Sequence, residues 1–412
     1  MKKYIVVVEA SFLGVEYVAK AIRKIGYEPV FLTNYRSQEG DALVQLATER
    51  AIFCETTETK DIISVIDLLG RSNIVGVTTF LDSRLSIIAS VNKLLGLPGV
   101  SESLLKLKDK SYVNGIIPEF VPKSLAVEWG KTPKDKIEDF LLNSDANKYI
   151  AKPSFTAGAI GTFVFKKYEE LSNGIDSSVD KIPKHLEPNK YVVQEFFDGN
   201  LVSIEGYTYK DRIEFIGATL RYKFDNTEVK HKFPYQDDMG MQNYEKCKSI
   251  ICKLINRSNY EYGFFHVEFM VSDNEVRLID ANMGRPGGTN IMELISFSYE
   301  IDPVLMFEHA ISIAVFQKPT IDSQFFIDTP CVEMTGVLYG QKETARLLRF
   351  ESPTLKSTHH LAVNMGTTVP KLGESNWSVI GTLTGRPNDV FTDLKNIKLI
   401  TDKGVCSAVI SE

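Results

Sequence analysis

The sequence predicts an α/β fold over residues 1–100, followed by α+β regions in the rest of the chain. In the first region, short apolar runs alternate with segments of helical spacing, a pattern that is typical of an open parallel sheet. After the break at Leu97-Pro98-Gly99 the alternation stops, and strand pairs joined by turns take its place. Past Pro319 the chain is rich in strands, with glycines marking the turns. We therefore expect three parts, at 1–100, 101–318 and 319–412.

The first region can be predicted element by element from these two periodicities. Apolar runs predict strands at 4–8, 29–33 and 74–78, and helical spacing predicts helices at 15–25, 62–69 and 83–95. The turn after the first strand, from Glu9 to Gly14, lacks the G-x-G-x-x-G pattern that lets backbone approach a pyrophosphate. We therefore favour a substrate or scaffold domain over a nicotinamide site.

The composition is that of an ordinary globular protein and argues against several classes. The chain has 412 residues, of which 43% are hydrophobic and 24% charged, with a net charge of −6. It contains no long Lys/Arg run, so we expect no nucleic-acid partner. No stretch approaches the roughly 20 apolar residues of a transmembrane helix, and the apolar start is too short for a signal peptide. The five cysteines are scattered, which favours a cytoplasmic protein with free thiols and no membrane contact.

The most informative segment is a predicted hairpin at 264–282. Strand side chains alternate between two faces, and one face of this hairpin is apolar, with Val267, Phe269, Val271, Ile279 and Ala281. The other face then carries His266, Glu268, Asp280 and Asn282. Both sets agree only if Glu268 lies opposite Asp280, which requires an odd-numbered loop such as 273–275.

The polar face of this hairpin predicts a metal site. Two carboxylates directly opposite each other repel, and a divalent cation between them would relieve that repulsion. Carboxylate and amide oxygens suit Mg²⁺ or Mn²⁺ rather than zinc, so Glu268, Asp280 and Asn282 are the candidate ligands. The alternative is a solvated strand face that carries two acids by chance. A lone strand histidine is more often structural, so His266 is not counted as catalytic.

The residues that follow the hairpin add features of an anion-binding site. Arg285 offers a fixed fork of donors beside the presumed metal, where it could hold phosphate oxygens. Gly287-Gly288 permits tight backbone before a helix that begins near Asn290. The N-terminus of that helix could hold an anion.

Two further segments are weak when each is taken alone. Lys152 ends an apolar strand, and the small residues from Ser154 to Gly161 form a turn whose N–H groups could close around phosphate oxygens. A plain hairpin turn with an exposed lysine is the alternative. Gln194, Glu195 and two aromatic residues end another apolar strand and could line a flat ring. An ordinary core strand is equally consistent with that segment.

Taken together, these motifs resemble the ATP-grasp family in their order and spacing. The chain reads K-P with a Gly-rich loop from 152, V-Q-E-F at 193–196, H-V-E-F at 266–269 and I-D-A-N-M-G-R-P-G-G at 279–288. It is most similar to the branch with the L-amino acid ligases, which make dipeptides and characteristically read I-E-x-N-x-R-x-G-G. The resemblance implies a Rossmann-like N-terminal domain at 1–100, a two-part ATP-grasp fold at 101–318 and a small β-rich C-terminal domain at 319–412. The ATP-grasp part would divide into a lid at about 122–195 and a core at about 196–318.

The resemblance also implies roles, position by position. The groups that match contacts to the ATP phosphates are Lys110, Lys152, Ser154, Thr156, Ala157, Gly158 and Gly161. Gln194, Glu195 and Phe197 match the hinge that holds adenine, and Glu268, Asp280 and Asn282 match the magnesium ligands. Arg285 matches an arginine near the transferred phosphate, and Arg221 falls where many members have a Lys or Arg that reaches the γ-phosphate. His231, in a polar stretch interpreted as a substrate loop, joins Arg285, Gly287 and Gly288 as a candidate substrate-binding residue.

The sequence departs from the family pattern at two positions. The middle metal ligand is usually Glu, and Asp280 is one methylene shorter, so bridging two ions would need a local backbone shift. The sequence is therefore consistent with either one or two bound ions. At the position of Leu201, many members have an acidic residue that binds the ribose hydroxyls. Whether Glu205, which lies nearby in the sequence, replaces that residue is left open.

The implied activity is the ligation of a carboxylate to an amine, with amino acids as the expected small-molecule substrates. ATP and Mg²⁺, or Mn²⁺, would be needed. The alternatives are carboxylation of a small metabolite, other acyl-phosphate chemistry, or a non-catalytic nucleotide-binding protein. Members of the family are often dimers, which leaves a homodimer open.

The remaining sequence carries few chemical residues. A long helical region at 290–316 is expected to break at Asp302-Pro303, because proline ends or kinks a helix. Near the C-terminus, the pair His359-His360 could bind a metal, but a solvated pair is favoured.

Overall fold

The computed structural model describes residues 2–9, 14–34, 50–99, 101–156, 159–210, 212–273, 275–374 and 378–411. Two residues of the predicted phosphate loop, Ala157 and Gly158, lie outside the described residues. Within the described ranges the strands form four sheets, and none of the helices there is long and apolar enough to cross a bilayer.

The N-terminal region is a parallel sheet with the strand order β3-β2-β1-β4, which confirms the predicted open parallel sheet. Its strands are β1 (Tyr4–Val8), β2 (Glu28–Thr33), β3 (Ala51–Phe53) and β4 (Ile74–Thr78). The helices α1 (Val15–Lys24), α2 (Thr59–Leu69) and α3 (Leu85–Leu95) pack against it. Ile5 and Val7 face one hydrophobic cluster and Val6 and Val8 another, because helices cover both faces of the sheet.

A second sheet occupies the range that was predicted for the lid. Two short helices, α4 (Glu102–Leu107) and α5 (Lys110–Ile116), lead to it. It is antiparallel, with the order β5-β8-β6-β7, and consists of β5 (Ser124–Glu128), β6 (Tyr149–Pro153), β7 (Phe163–Phe165) and β8 (Lys190–Glu195). The helices α6 (Lys134–Leu142) and α7 (Tyr168–Ser178) complete a hydrophobic core of its own.

The largest sheet has eight antiparallel strands in the order β13-β12-β9-β10-β11-β14-β18-β16. Its first five strands in the chain are β9 (Asn200–Tyr209), β10 (Arg212–Phe224), β11 (Thr227–Phe233), β12 (Tyr262–Val271) and β13 (Val276–Met283). The helix α8 (Met241–Ser258) covers one face, and α9 (Thr289–Ser298), α10 (Pro303–Phe316) and α11 (Ser323–Asp328) pack at the other.

The C-terminal region is rich in strands, as predicted, but it shares the large sheet. The strands β14 (Met334–Tyr339), β16 (Thr358–Leu361) and β18 (Gly381–Gly385) extend that sheet across the predicted boundary at 319. The strands β15 (Ala345–Glu351), β17 (Thr368–Val369), β19 (Lys398–Thr401) and β20 (Gly404–Ser407) form the fourth sheet, beside α12 (Pro387–Asn396).

Two smaller predictions have different outcomes. The helical break is confirmed, because α9 ends at Ser298 and α10 begins at Pro303, where the side chain of Asp302 accepts a hydrogen bond from the amide of Val304. The prediction of a solvated histidine pair is wrong. His359 stacks on Phe350 with ring centroids 4.7 Å apart, and the neighbouring His360 bonds to the fully buried carboxylate of Glu293 at 2.5 Å. The two rings point away from each other because successive strand residues face opposite sides.

Candidate active site

The hairpin of β12 and β13 has the predicted register at its polar residues. Glu268 lies opposite Asp280, and His266 lies opposite Asn282. The predicted three-residue loop is wrong, since Val271 pairs with Val276 across a four-residue connection. A β-bulge in β13 compensates for the even-numbered connection. Phe269 pairs with Leu278 and Glu268 pairs with Asp280, so one residue of β13 has no partner on β12.

The extra residue is Ile279, which was predicted for the apolar core face. Leu278 takes that place instead and is 1% exposed, whereas Ile279 is partly exposed. The carbonyl of Ile279 accepts a hydrogen bond from Nζ of Lys152 at 2.9 Å. A bulge bends its strand and changes the direction of the nearby side chains. The backbone is therefore shifted immediately before Asp280, the position at which the ATP-grasp pattern has the longer Glu.

The three candidate metal ligands lie together, and each contacts a donor from the protein. Nδ2 of Asn282 lies 3.4 Å from Oε1 of Glu268, and Oδ1 of Asp280 lies 3.0 Å from Nζ of Lys110. Two carboxylates and an amide oxygen fit a hard cation such as Mg²⁺. Among the described residues, no group of three or more His, Cys, Asp and Glu side chains is arranged to hold a metal, so the amide of Asn282 is needed to complete the set.

A buried network of charges surrounds Glu268. Nη1 of Arg221 lies 2.7 Å from Oε1 of Glu268, and the same guanidinium forms a second ion pair with Glu228. Burial alone would raise the pKa values of both carboxyls, but the Arg221 guanidinium holds them well below their usual range. Arg221, which was predicted from the resemblance, therefore contacts the candidate metal site directly.

His266 belongs to the same network, which sequence reasoning did not predict. Its Nδ1 lies 2.7 Å from the carboxylate of Glu205, and its Nε2 lies 3.4 Å from Glu268. Burial would lower the pKa of His266, but the carboxylates of Glu205 and Glu268 outweigh burial and raise the pKa to about 9. The carboxylate of Glu205, the open candidate for ribose, is 3% exposed and is engaged by this histidine.

The lid and the helix α5 bring two lysines to the hairpin. Nζ of Lys110 also donates to the carbonyl of Thr156 at 3.1 Å, and the backbone amide of Lys110 donates to the carbonyl of Ser154. Lys152 lies one residue before the end of β6, and burial lowers its pKa to about 8, with Asp280 opposing that shift. The predicted phosphate contacts Lys110, Lys152, Ser154 and Thr156 are thus joined to the hairpin by hydrogen bonds.

The predicted adenine hinge lies at the end of β8 and just after it. Gln194 is buried within β8, and Oε1 of Glu195 accepts a hydrogen bond from the hydroxyl of Ser144 at 2.6 Å. The amide of Phe196 donates to the carbonyl of Lys148, and Phe197 is half-buried. None of the three predicted hinge residues lines the cleft that contains Lys110 and Asp280.

Arg285 is held in a second cluster of charges. Its Nη2 donates to Oδ1 of Asn282 at 3.3 Å, and its Nη1 donates to the carbonyl of Pro286 at 3.1 Å. Its Nε lies 3.5 Å from Oδ1 of Asp82, which also forms an ion pair with Lys108.

Sequence reasoning missed Asp82 and Lys108. Asp82 follows the parallel strand β4, and polar residues at the carboxyl ends of parallel strands commonly form ligand crevices. The position of Asp82 after a predicted parallel strand was the sequence signal that could have identified it. Asp82, Lys108, Lys110, Thr156, Asp280 and Asn282 line one cleft.

The interpretation of His231 as part of a substrate loop is wrong. His231 lies on β11 and is 1% exposed, with its Nδ1 2.7 Å from Nδ2 of Asn290 and its Nε2 3.0 Å from Glu228. The segment alternates between buried and partly exposed residues, which is the period of a strand. Charged residues at the outward positions made this alternation resemble a polar loop.

Gly287 and Gly288 lie where they were predicted, directly before α9. A Cβ added at Gly287 would lie 3.0 Å from Nδ1 of His266 and 3.1 Å from a methyl of Ile291. Glycine therefore lets the backbone pass close to the buried histidine. The turn connects the hairpin to α9 at the edge of the charged network.

Comparison with solved structures yields confident matches to ligases and carboxylases of the ATP-grasp superfamily. Phosphoribosylglycinamide synthetase from Anaerococcus prevotii aligns with a TM-score of 0.71 at 18% identity, covering 97% of this chain and 100% of that one. L-amino acid ligase from Bacillus licheniformis aligns with a TM-score of 0.73 at 14% identity, covering 93% of each chain. The biotin carboxylase domain of 2-oxoglutarate carboxylase from Hydrogenobacter thermophilus, in complex with MgADP and bicarbonate, aligns with a TM-score of 0.75 at 12% identity, covering 98% and 92%. No protein family and no curated protein matches the sequence itself.

Proposed function

Because this chain has the ATP-grasp fold, we propose that it is an ATP-dependent ligase that joins a carboxylate to an amine. The proposed products are an amide, ADP and phosphate. The proposal rests on the contacts of two lysines with the hairpin. Lys110 forms an ion pair with Asp280, and Lys152 donates to the carbonyl of Ile279. The same hairpin carries the candidate oxygen ligands Glu268, Asp280 and Asn282. Cations that pair with phosphate and oxygens that suit a hard metal are the groups that phosphoryl transfer needs.

In the proposed first step, a carboxylate oxygen of the substrate attacks the γ-phosphorus of ATP, and the bond to the β-phosphate oxygen breaks. ADP leaves and an acyl phosphate forms. Arg285 and Arg221 would stabilise the charge that spreads over the transferred group, while Lys152 and Lys110 hold the remaining phosphates. Arg285 is already held by the carbonyl of Pro286 and by the amide oxygen of Asn282, so it needs little reorganisation when charge develops.

In the second step, the amine nitrogen attacks the acyl carbon, the bond from that carbon to the phosphate oxygen breaks, and phosphate leaves. The amine loses a proton as the amide forms. Water has to be excluded, since it would hydrolyse the acyl phosphate. The lid sheet, which has a hydrophobic core of its own, is the candidate for closing over the cleft.

Magnesium would be held by the oxygens of Glu268, Asp280 and Asn282, and this donor set fits it. When bound, the ion would neutralise phosphate charge and orient the terminal phosphate. Lys110 and Arg221, which now contact Asp280 and Glu268, would then be available for phosphate oxygens.

Amino acids are the proposed substrates, with a dipeptide as the product. The support for this narrower proposal is the likeness of the I-D-A-N-M-G-R-P-G-G segment to the L-amino acid ligase pattern, together with the structural match to such a ligase. The buried cluster of Glu205, His266 and Glu228 lies on the sheet beside this segment.

The test is a phosphate-release screen of the full chain with Mg-ATP and all pairs of the common amino acids, followed by product masses. The expected result is ADP and phosphate release that requires both amino acids, with a product lighter than their sum by one water. AMP and pyrophosphate would overturn the acyl-phosphate mechanism. Phosphate release that requires bicarbonate instead of an amino acid pair would point to carboxylation.

A further inference from the structure

Asp82 lies on a loop of the N-terminal region that is fixed at the carboxyl edge of the parallel sheet. The hydroxyl of Thr79 donates to the carbonyl of Val8 at 2.7 Å and accepts the amide of Leu81 at 3.0 Å. Asp82 then begins a short 3₁₀ turn that ends at Arg84. The loop is thus tied to β1, and it presents the carboxylate of Asp82 to the cleft with 8% of the side chain exposed.

This carboxylate is shared by two cations from different parts of the chain. Oδ1 of Asp82 forms an ion pair with Lys108, between α4 and α5, and lies 3.5 Å from Nε of Arg285, after β13. The guanidinium of Arg285 therefore contacts three acceptors, which are Asp82, the carbonyl of Pro286 and the amide oxygen of Asn282. Five N–H groups are available on an arginine, and two of them donate to Pro286 and Asn282, so about three remain for Asp82 and for oxygens of a ligand.

We propose that Asp82 is a positioning residue that holds Arg285 and Lys108 in place around the phosphoryl group in transfer. The inference rests on the proposed function, because it takes Arg285 as a contact of that group. It assigns part of the phosphoryl site to the N-terminal region, whose sheet carries no dinucleotide fingerprint.

The balance of charge explains why a carboxylate is needed at this place. Lys108, Lys110 and Arg285 crowd into one small region, and their side chains are only 11–18% exposed. Asp280 is the other carboxylate that lines the same cleft, and magnesium would engage it. Without Asp82, the repulsion between Lys108 and Arg285 would push the guanidinium away from its acceptors. A displacement of about 1 Å can cost on the order of 100-fold in rate.

The test compares Asp82→Asn with Asp82→Glu and with the control Asp67→Asn. Asp67 forms an exposed ion pair with Arg71 in the same N-terminal region and is not among the residues that line the cleft. Isothermal titration would measure the binding of Mg-ADP with and without aluminium fluoride, a mimic of the phosphoryl group in transfer. Aluminium fluoride should tighten binding to the natural protein and to Asp67→Asn by about 100-fold or more, as transition-state mimics do. For Asp82→Asn, aluminium fluoride should tighten the binding of Mg-ADP by no more than about twofold. For Asp82→Glu, it should tighten binding by an intermediate factor.

Mg-ADP alone should bind to all four proteins equally, and the thermal midpoints should agree, which would exclude a merely structural role. The proposal is overturned if Asp82→Asn keeps the full gain, if it loses Mg-ADP binding in parallel, or if the natural protein shows no gain. A failure of the amino acid screen would leave this result intact, because the titration needs no second substrate. Where the screen succeeds, Asp82→Asn should lower kcat by about 100-fold while the KM for ATP changes by less than about threefold.

Discussion

The β12–β13 hairpin and the hinge at the end of β8 were both predicted to bind Mg-ATP. They differ in whether side chains or backbone atoms would make the contacts. In the hairpin, Glu268 and Asp280 share the polar face because the alternate residues are buried in the core. In the hinge, the side chain of Gln194 is buried and that of Glu195 bonds to Ser144. Under the proposed function, side chains would carry the chemistry in the hairpin, whereas the hinge would hold the nucleotide through its backbone. Substitutions of side chains should be far more damaging in the first region than in the second.

The largest effect is expected for Asp280→Asn. The substitution keeps the shape of the side chain but removes a charge from the candidate metal site, so kcat should fall by about 10²–10³-fold. Phosphate release at saturating ATP would measure this loss, and circular dichroism should show an unchanged fold. The matched control is Asp273→Asn in the exposed loop of the same hairpin. Full activity of Asp280→Asn would remove Asp280 from the metal site.

The hairpin also shows how far sequence reasoning reaches. The core pattern was enough to pair Glu268 with Asp280, because a slip by one residue would have exposed Val267 and Phe269. It could not distinguish an odd loop from an even loop plus a bulge, since both give the same pair at the polar residues. The bulge at Ile279 became visible only with the position of Lys152, which binds its carbonyl.

Contacts between distant parts of the chain could not be predicted in this way. The apolar runs of β1, β2 and β4 were enough for the N-terminal sheet, because local patterns determine where strands form. The contact of Asp82 with Arg285 depends on how that sheet docks against the large one, and no local pattern encodes docking. Resemblance located Arg221, but its ion pairs with Glu228 and Glu268 depend on the register of four strands.

The second effect concerns Lys152, which lies one residue before the end of β6 and bonds to the hairpin. Burial lowers its pKa to about 8, so the ammonium loses its proton as the pH rises through about 8, and its attraction for phosphate is lost. Mg-ADP should therefore bind about tenfold more weakly near pH 9 than near pH 7. Titration calorimetry at the two pH values would measure this. Lys152→Arg should remove the difference, since a guanidinium stays charged, and an equal decline in that variant would assign the pH dependence to another group.

A smaller effect is expected in the phosphate loop for Gly161→Ala. Gly161 has a φ of +71°, and an added Cβ would lie 2.9 Å from Ile182 and 3.0 Å from Pro153. The strain of about 1–2 kcal/mol should shift the loop and raise the KM for ATP by about 5–10-fold. Gly130→Ala is the control, because Gly130 has a φ of +83° in a turn of the same region and an added Cβ would have no atom within 4 Å. An equal rise of KM in both variants would show that the effect belongs to the whole lid.

The smallest effect is expected at the hinge, where the comparison can be broken most directly. Glu195→Ala removes a carboxylate whose Oε1 accepts the Ser144 hydroxyl, and Ser144→Ala breaks the same hydrogen bond from the other side. If the hinge holds adenine through its backbone, both variants should change the KM for ATP by less than about twofold, because a partly exposed hydrogen bond of this kind contributes only about 1 kcal/mol. Their preference for ATP over GTP should also be unchanged. A tenfold rise of KM in Glu195→Ala, but not in Ser144→Ala, would show that the carboxylate itself contacts the nucleotide, and the hinge would then resemble the hairpin in carrying its chemistry on side chains.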